Sequence, residues 1–464
     1  MTTTLLTDKE YQGDTDLLPS PNVPMPKKAS LYMDFARELY IAQSQTTSAV
    51  IRSRRLRDVL TFARPSEATR VGKKGLIEYL AAGEHAIEYD PETLECMGLR
   101  VAIGSTNLTP NSEDFNAGSW QRMNVTPLQD QSTAPNGNKK ATLLTESTDA
   151  APVTHYLMDN AVAAATVGSP VTFSIFAKAE SASAIQLVAM GSVTPAQFAN
   201  FDLVAGVRTR ASALLLQTGI VKHPGGWYRI SITITPTVAE KSKFAVVLID
   251  SASAAEAVPA YQGSGKGIYI WGGQIEKFDG VTPYIPTTGA TASRAEEVCT
   301  TRTDLDFMAM PAGSLFLDYA MPATYQSVSG KYNSGQSLAS IDNLTELGYI
   351  RWTNRKASDA SPNMVMASQK YQGGLASMEI GRLGQVKHGR QAFVCSFTSG
   401  DARLFEGINI YASALPMDAK FNRIMIGRAF GDQNTISNAC IRKLIYYPTT
   451  LSNEQLVSEF NALA

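Results

Sequence analysis

The clearest signal along the chain is a period of two. Tyr228, Ile230, Ile232 and Ile234 alternate with Arg229, Ser231, Thr233 and Thr235, and Val171, Phe173, Ile175 and Ala177 alternate with Thr172, Ser174, Phe176 and Lys178. Successive strand side chains point to opposite faces, so each run predicts a strand with one dry face and one polar one. Leu31, Met33 and Phe35 against Tyr32 and Asp34 predict a shorter strand of the same kind, and Gly313 to Tyr319 places Leu315, Leu317 and Tyr319 on one face. His388 to Phe397 followed by Ser399 to Phe405 reads as a hairpin, with Ile424 to Gly427 and Ile441 to Tyr447 as two further strands. One helical pattern stands out, at the end of the chain. Ser452 is placed to cap it with Gln455 as its box partner, Leu451 packs toward Leu456, and Leu456, Phe460 and Leu463 share a face that should dock.

The stretch Gly267 to Arg294 divides these strands into two groups. Ile268 to Trp271 is a short apolar run stopped by Gly272 and Gly273, and Pro283 and Pro286 remove ladder donors, so Val281 to Thr288 should cross a surface in extended form. The cores before and after it are expected to be separate. The fold class that follows is all-β: two successive antiparallel β-sandwiches (jelly rolls), preceded by an extended arm and a small loop-rich anchor segment. The expected divisions are an arm over 1–29, an anchor segment over 30–108, a first sandwich over 109–294, and a second sandwich with its C-terminal helix over 295–464. The arm carries Pro19, Pro21, Pro24 and Pro26 and has no apolar period, so alone it cannot offset its ordering entropy. It is either a frayed terminus or a segment that lies on a partner.

Composition narrows the function classes. At 464 residues the chain is too long for one core, and at 18% charged residues and a net charge of -1 it has no global field to recruit nucleic acid or an anionic membrane. Cys96, Cys299, Cys395 and Cys440 lack metal-ligand spacing and read as buried small hydrophobes. The N-terminus has no signal-peptide pattern, and no apolar run reaches the length of a membrane span. If the protein ends up outside a cell, it is expected to leave by lysis or as part of a particle.

Several motifs carry a resemblance. Leu60-Thr61-Phe62-Ala63-Arg64-Pro65-Ser66-Glu67-Ala68-Thr69, then Glu88-Tyr89-Asp90-Pro91, Gly98-Leu99-Arg100 and Ser105-Thr106-Asn107-Leu108 resemble, in order and spacing, a segment of tailed-bacteriophage structural proteins of the tail-fibre or head-fibre type. This chain departs from that pattern at Val101-Ala102-Ile103 and at Ser105. Phe201 to Gly206, Gly226-Trp227-Tyr228-Arg229, Trp271 to Glu276 and Thr282 to Thr287 resemble the carbohydrate-binding-like jelly-roll module that follows that segment. The strand order after Ala295, ending in Ile441 to Tyr447 and the short helix, resembles the concanavalin A-like, laminin-G-type lectin sandwich. The resemblance implies a virion protein on the tail or capsid surface. It would hold other virion proteins through the arm and anchor segment, assemble as a homo-oligomer with a trimer favoured, and present sandwiches to host-surface glycan.

Candidate chemistry follows from exposed rings and charge clusters. By parity Trp227 and Phe176 lie on the polar faces of their strands, where a ring could stack on a pyranose or cover the end of a core. Tyr349 and Trp352 bracket Arg351 near a strand end and carry the same two readings. Arg52, Arg54, Arg55 and Arg57 form a basic cluster, read as a solvated face or as a contact with an acidic neighbour. No cofactor is assigned. Calcium suits lectin-like loops, and Asp342, Asn343 and Asp432 lie in such loops, but they make no complete ligand set. The E-x-D-x-x-E strand motif of glycan hydrolases is absent, and Asp304 and Asp306 precede the first strand of their unit. His85, His155, His223 and His388 are isolated, and Gly263-Ser264-Gly265-Lys266-Gly267 reads as a hairpin turn, not a phosphate loop. The chain is therefore expected not to be an enzyme. Adhesion is the preferred reading, a ligand-free head fibre, decoration or cement role the alternative, and polysaccharide degradation the third.

Overall fold

The computed structural model describes residues 24–159, 165–308, 312–321, 336–342, 349–355, 364–371, 374–378, 389–398, 400–413, 421–428 and 439–463. It is an all-β architecture of antiparallel sheets arranged as sandwiches. The expected arm over 1–29 falls almost wholly outside the described residues.

Between Trp120 and Glu276 two six-stranded sheets face each other. One runs, edge to edge, Trp120–Met123, Tyr156–Asp159, Lys243–Leu248, Ala184–Met190, Gln197–Asp202 and Val207–Ala211. The other runs Val125–Ser132, Ala141–Glu146, Gly267–Glu276, Val171–Ala179, Trp227–Ile234 and Gln217–His223. The alternation seen in the sequence sets which side is dry: Phe173, Ile175, Ile230, Ile232 and Ile234 are fully buried between the sheets against Leu187, Phe244 and Val246. Each such side chain contributes about 1.5–3 kcal/mol by leaving water.

The second sandwich is built around Cys440–Tyr447, which lies between Gly313–Met321 on one edge and Leu31–Asp34 on the other. Its sheet continues through Leu39–Gln43 to an edge at Val50–Ser53, and in the other direction through Gly389–Thr398 and Asp401–Phe405 to Ile410–Ser413. The facing seven-stranded sheet ends in Arg423–Ile426, Val298–Thr301 and Leu60–Ala63. Residues 30–108, expected to stand apart as an anchor segment, thus give strands to both sheets of the C-terminal sandwich. The physical reason is the burial of both faces of Cys440–Tyr447, where Ile441, Leu444, Ile445 and Tyr446 are all at 0% exposure. A central strand of that kind needs a hydrogen-bonded neighbour on each edge, and the N-terminal strands supply one of them.

The chain leaves this sandwich at Ser105–Asn107 and returns at Ala292–Arg294, and these two strands pair with each other. The middle sandwich is therefore inserted between two parts of the outer one. The two main cores form separate clusters, and a small third cluster contains residues of both units. The C-terminal helix, Asn453–Leu463, has its expected cap: the Ser452 amide donates to Gln455 Oε1 at 2.9 Å and the Gln455 amide to Ser452 Oγ at 3.3 Å. Leu456 is buried and Phe460 meets Phe405 edge-on at 5.2 Å, so the helix is docked. Among the described residues no helix is long and apolar enough to cross a membrane.

Candidate ligand-binding site

The rings proposed for sugar stacking are interior groups. Register places Arg229, Phe176 and Trp271 side by side on the outer face of the inserted sandwich, where parity had put Phe176 and Trp227. That face is covered. The extended crossing from Phe278 to Thr287 lies over it, with Tyr284 at 1% exposure, and the hairpin Ala68–Val71/Ile77–Leu80 closes over the rest. Phe176 has no exposed surface, stands edge-on to His223 and Tyr284, and carries the Arg229 guanidinium 5.3 Å from its centroid. Trp227 is 2% exposed and its indole N–H donates to the Thr133 carbonyl at 3.0 Å. Trp352 is 1% exposed and packs on Phe393 and Phe397 in the core of the outer sandwich. A ring without a free face cannot stack on a pyranose, so these three are corrected to packing. The side chain of Tyr349 lies outside the described residues.

The other candidates also resolve into structure. Asp342 is fully buried and ion-paired to Arg423 at 2.6 Å, so its charge is already answered, while Asn343, Asp432 and His388 lie outside the described residues. No group of three metal-ligating side chains occurs among the described residues. The turn Gly263 to Gly267 precedes a strand, and its Ser264 and Lys266 amides donate to the Glu146 carboxylate, so an internal acid sits where a phosphate loop would hold its anion. Burial raises the Glu146 carboxyl, but hydrogen bonds from Tyr261, Ser264 and Lys266 prevail and hold it below the ordinary range. Ser147 and His155 both bond Asp149, at 2.7 and 2.9 Å, so the hydroxyl is turned to the acid and not to the imidazole. A nucleophile and base would need the other arrangement.

Buried ion pairs that the sequence did not signal hold the segments around 64, 88, 100 and 297 together. Arg64 pairs with Glu297 at 2.9 Å and also donates to the Ala81 and Ser66 carbonyls. Arg100 pairs with Glu88, lies 3.7 Å from Glu297, and donates to the Thr69 carbonyl. All four charged side chains are buried. Asn107 bonds the Gly273 and Ile285 carbonyls, and Glu276 accepts from Ser105 and Thr282. Asn107, Ser105, Glu276 and Thr282 fasten the entry and exit of the inserted sandwich, while the Arg64–Glu297 and Arg100–Glu88 pairs tie together segments of the outer one.

A groove of about 540 Å³ lies on the outer sandwich, where the basic cluster is. It is framed by Leu39–Gln43, Leu60–Ala63, the turn over 54–58 and the turn over 81–85. Its floor is apolar, from Leu56, Leu60, Ile87 and the half-buried ring of Phe62, which meets His85 edge-on. Four arginines, Arg54, Arg55, Arg57 and Arg70, line it against Glu38 and Glu84. Arg55 and Arg70 are paired, to Asp58 at 3.1 Å and Glu78 at 2.9 Å. Burial raises the Asp58 carboxyl, yet hydrogen bonds from Ser53 and Arg55 and the charge of Arg57 hold it below the usual aspartate range, which fixes the turn. Burial pushes the His85 imidazole below its ordinary pKa, so it is neutral at pH 7. Arg54 reaches the Arg37 carbonyl at 3.5 Å, while its Nε is buried without a hydrogen-bond partner. The Tyr40 hydroxyl is likewise buried and unpartnered. The sequence signalled this place through the run of arginines alone; nothing in it showed that strands from 39 and 60 would wall a groove.

No family model and no curated protein matches the chain. Among solved structures it is similar to the CBM40 domain of the Ruminococcus gnavus IT-sialidase, solved bound to alpha2,6 sialyllactose, at 15% identity over 32% of this chain and 82% of that one, with a TM-score of 0.23. It is also similar to domains LG4-5 of the mouse laminin alpha1 chain, at 13% identity over 67% of this chain and 97% of that one, with a TM-score of 0.20. These are distant, partial likenesses to lectin-like and carbohydrate-binding β-sandwiches, and at such scores they carry no argument about a ligand.

Proposed function

We propose that this chain is a tailed-phage virion protein that acts by adhesion, binding host-surface glycan without turning it over. The observation that carries the reading is the groove: a lectin-like sandwich has an open cleft with an apolar floor and arginine walls. Cavities of that size and make-up suit small ligands. The phage assignment draws on the order and spacing of the motifs from Leu60 to Leu108 and from Trp271 to Thr287. Attachment to the particle would fall to the N-terminal arm, and several copies, a trimer by preference, would turn weak single contacts into firm holding. The test is an array of bacterial surface glycans probed with the labelled full chain, together with light scattering for the number of copies. Binding to a defined glycan supports adhesion. Uniformly blank arrays with a well-folded chain would sink it.

A second reading, a capsid or tail spacer with no ligand, is favoured by one observation: Trp227, Phe176 and Trp352 are buried. Location and copy number on intact particles would separate it from adhesion.

A further inference from the structure

We infer that the groove selects an acidic sugar, a pyranose bearing a carboxylate. The inference rests on the glycan-binding reading and names the ligand class for its site. Among the buried atoms without a hydrogen-bond partner in the described residues are Tyr40 Oη and Arg54 Nε, which belong to residues that line the groove, and both carry a proton to donate. An unmet buried donor costs free energy in the empty state, and a shift of either side chain that brings its donor to an acceptor in the groove removes that cost. Arg57, exposed at the rim, adds a second guanidinium on the same wall. Guanidinium forks match the geometry of a carboxylate and can bind it through two parallel hydrogen bonds. Glu38 and Glu84 line the groove too, and they set a limit: the occupant must offer its negative charge at one end and hydroxyls, which can donate to those acids, at the other. An acidic sugar has that distribution, with an apolar C–H face for Phe62 and the aliphatic floor. The groove, at about 540 Å³, is of small-ligand size.

The experiment is calorimetric titration of the full chain with glucuronate and galacturonate, with glucose and galactose as neutral counterparts, and with acetate and phosphate as bare anions. Uronates should bind at least about tenfold more tightly than the neutral sugars or the bare anions, since hydrogen bonds to charged groups contribute about 1.5–3 kcal/mol. The double variant R54A/R57A should weaken uronate binding by about tenfold or more, and added salt should weaken it further. Tyr40→Phe should lower uronate affinity several-fold while leaving the thermal midpoint unchanged or raised, because it deletes an unmet hydroxyl; a purely structural tyrosine would show the reverse. Equal binding of neutral and acidic sugars overturns the inference, as does acetate binding as tightly as uronate, or uronate binding untouched by R54A/R57A. Neutral-glycan binding on the array that survives R54A/R57A would leave adhesion standing and sink this inference alone. Uronate binding with blank arrays would do the opposite.

Discussion

Two sets of arginines close together in the sequence are put to opposite uses. Arg64 and Arg100 lie in the dry interior of the outer unit, each against a buried carboxylate from a distant segment, while Arg54 and Arg57 line an open groove and have no ion pair with an acid among the described residues. A buried guanidinium is tolerated only with a partner in place, so the first set is fixed by the fold and cannot take part in binding. Partial solvation relieves the second set of that demand. It therefore keeps donors that an incoming anion can use. Charge density along the chain is greater for the second set, yet loss of a member of the first strands a buried carboxylate.

The largest break in that contrast should come from Arg100→Met. It leaves Glu88 buried without its cation, and removing one member of a buried pair costs about 3–5 kcal/mol, to be read as a lower urea midpoint of the full chain. A loss under about 1 kcal/mol would mean that water reaches the Glu88 carboxylate. Next in size is His223, buried against Phe176 and lying near Arg229. Burial and that charge depress its pKa to about 3. The unfolded chain, with an ordinary histidine near pKa 6.5, then binds more protons between pH 6.5 and 3, so this contribution is complete above pH 6.5 and declines as pH falls toward 3. At pH 5 the loss should be about 2 kcal/mol, and His223→Phe should flatten that part of the stability profile. A profile unchanged by the substitution would show that the imidazole is hydrated.

Ser452→Ala gives an intermediate mark on the solvent side of the molecule. Losing a helix cap costs about 1 kcal/mol, checked by thermal melting. Smallest of all, Arg57→Ala should shift stability by no more than about 0.5 kcal/mol, as exposed sites do. A larger destabilisation would place Arg57 with the fastened arginines instead of the open ones.

The sequence disclosed the two dry faces, because Ile230, Ile232 and Ile234 repeat at the strand period, and it disclosed the helix cap, because Ser452 and Gln455 have the spacing of a box. It did not disclose that Leu31–Asp34 would pair with Cys440–Tyr447 across some 400 residues. Alternation fixes which side of a strand is dry but says nothing of which strand lies beside it. The misplaced rings have the same origin. Phe176 and Trp227 do lie on the outer face of their sheet, and only the distant segments around Val71, Ile77 and Tyr284 turn that face into an interior. The pairing of Arg64 with Glu297 and of Arg100 with Glu88 was not legible, because buried ion pairs between distant segments leave no local mark.

The short ribbon formed by Ser105–Asn107 and Ala292–Arg294 brings the two ends of the inserted sandwich to neighbouring positions. A guest joined in this way can be exchanged for another of similar footprint while every ladder of the host stays closed, provided that the newcomer offers a surface for the hairpin at Ala68–Leu80. Gly75 at the tip of that hairpin marks how tight the fit is, since a β-carbon there would come within 2.5 Å of Pro224. Recombination could thus swap the middle of the molecule in one piece, and the cleft on the host would keep its shape.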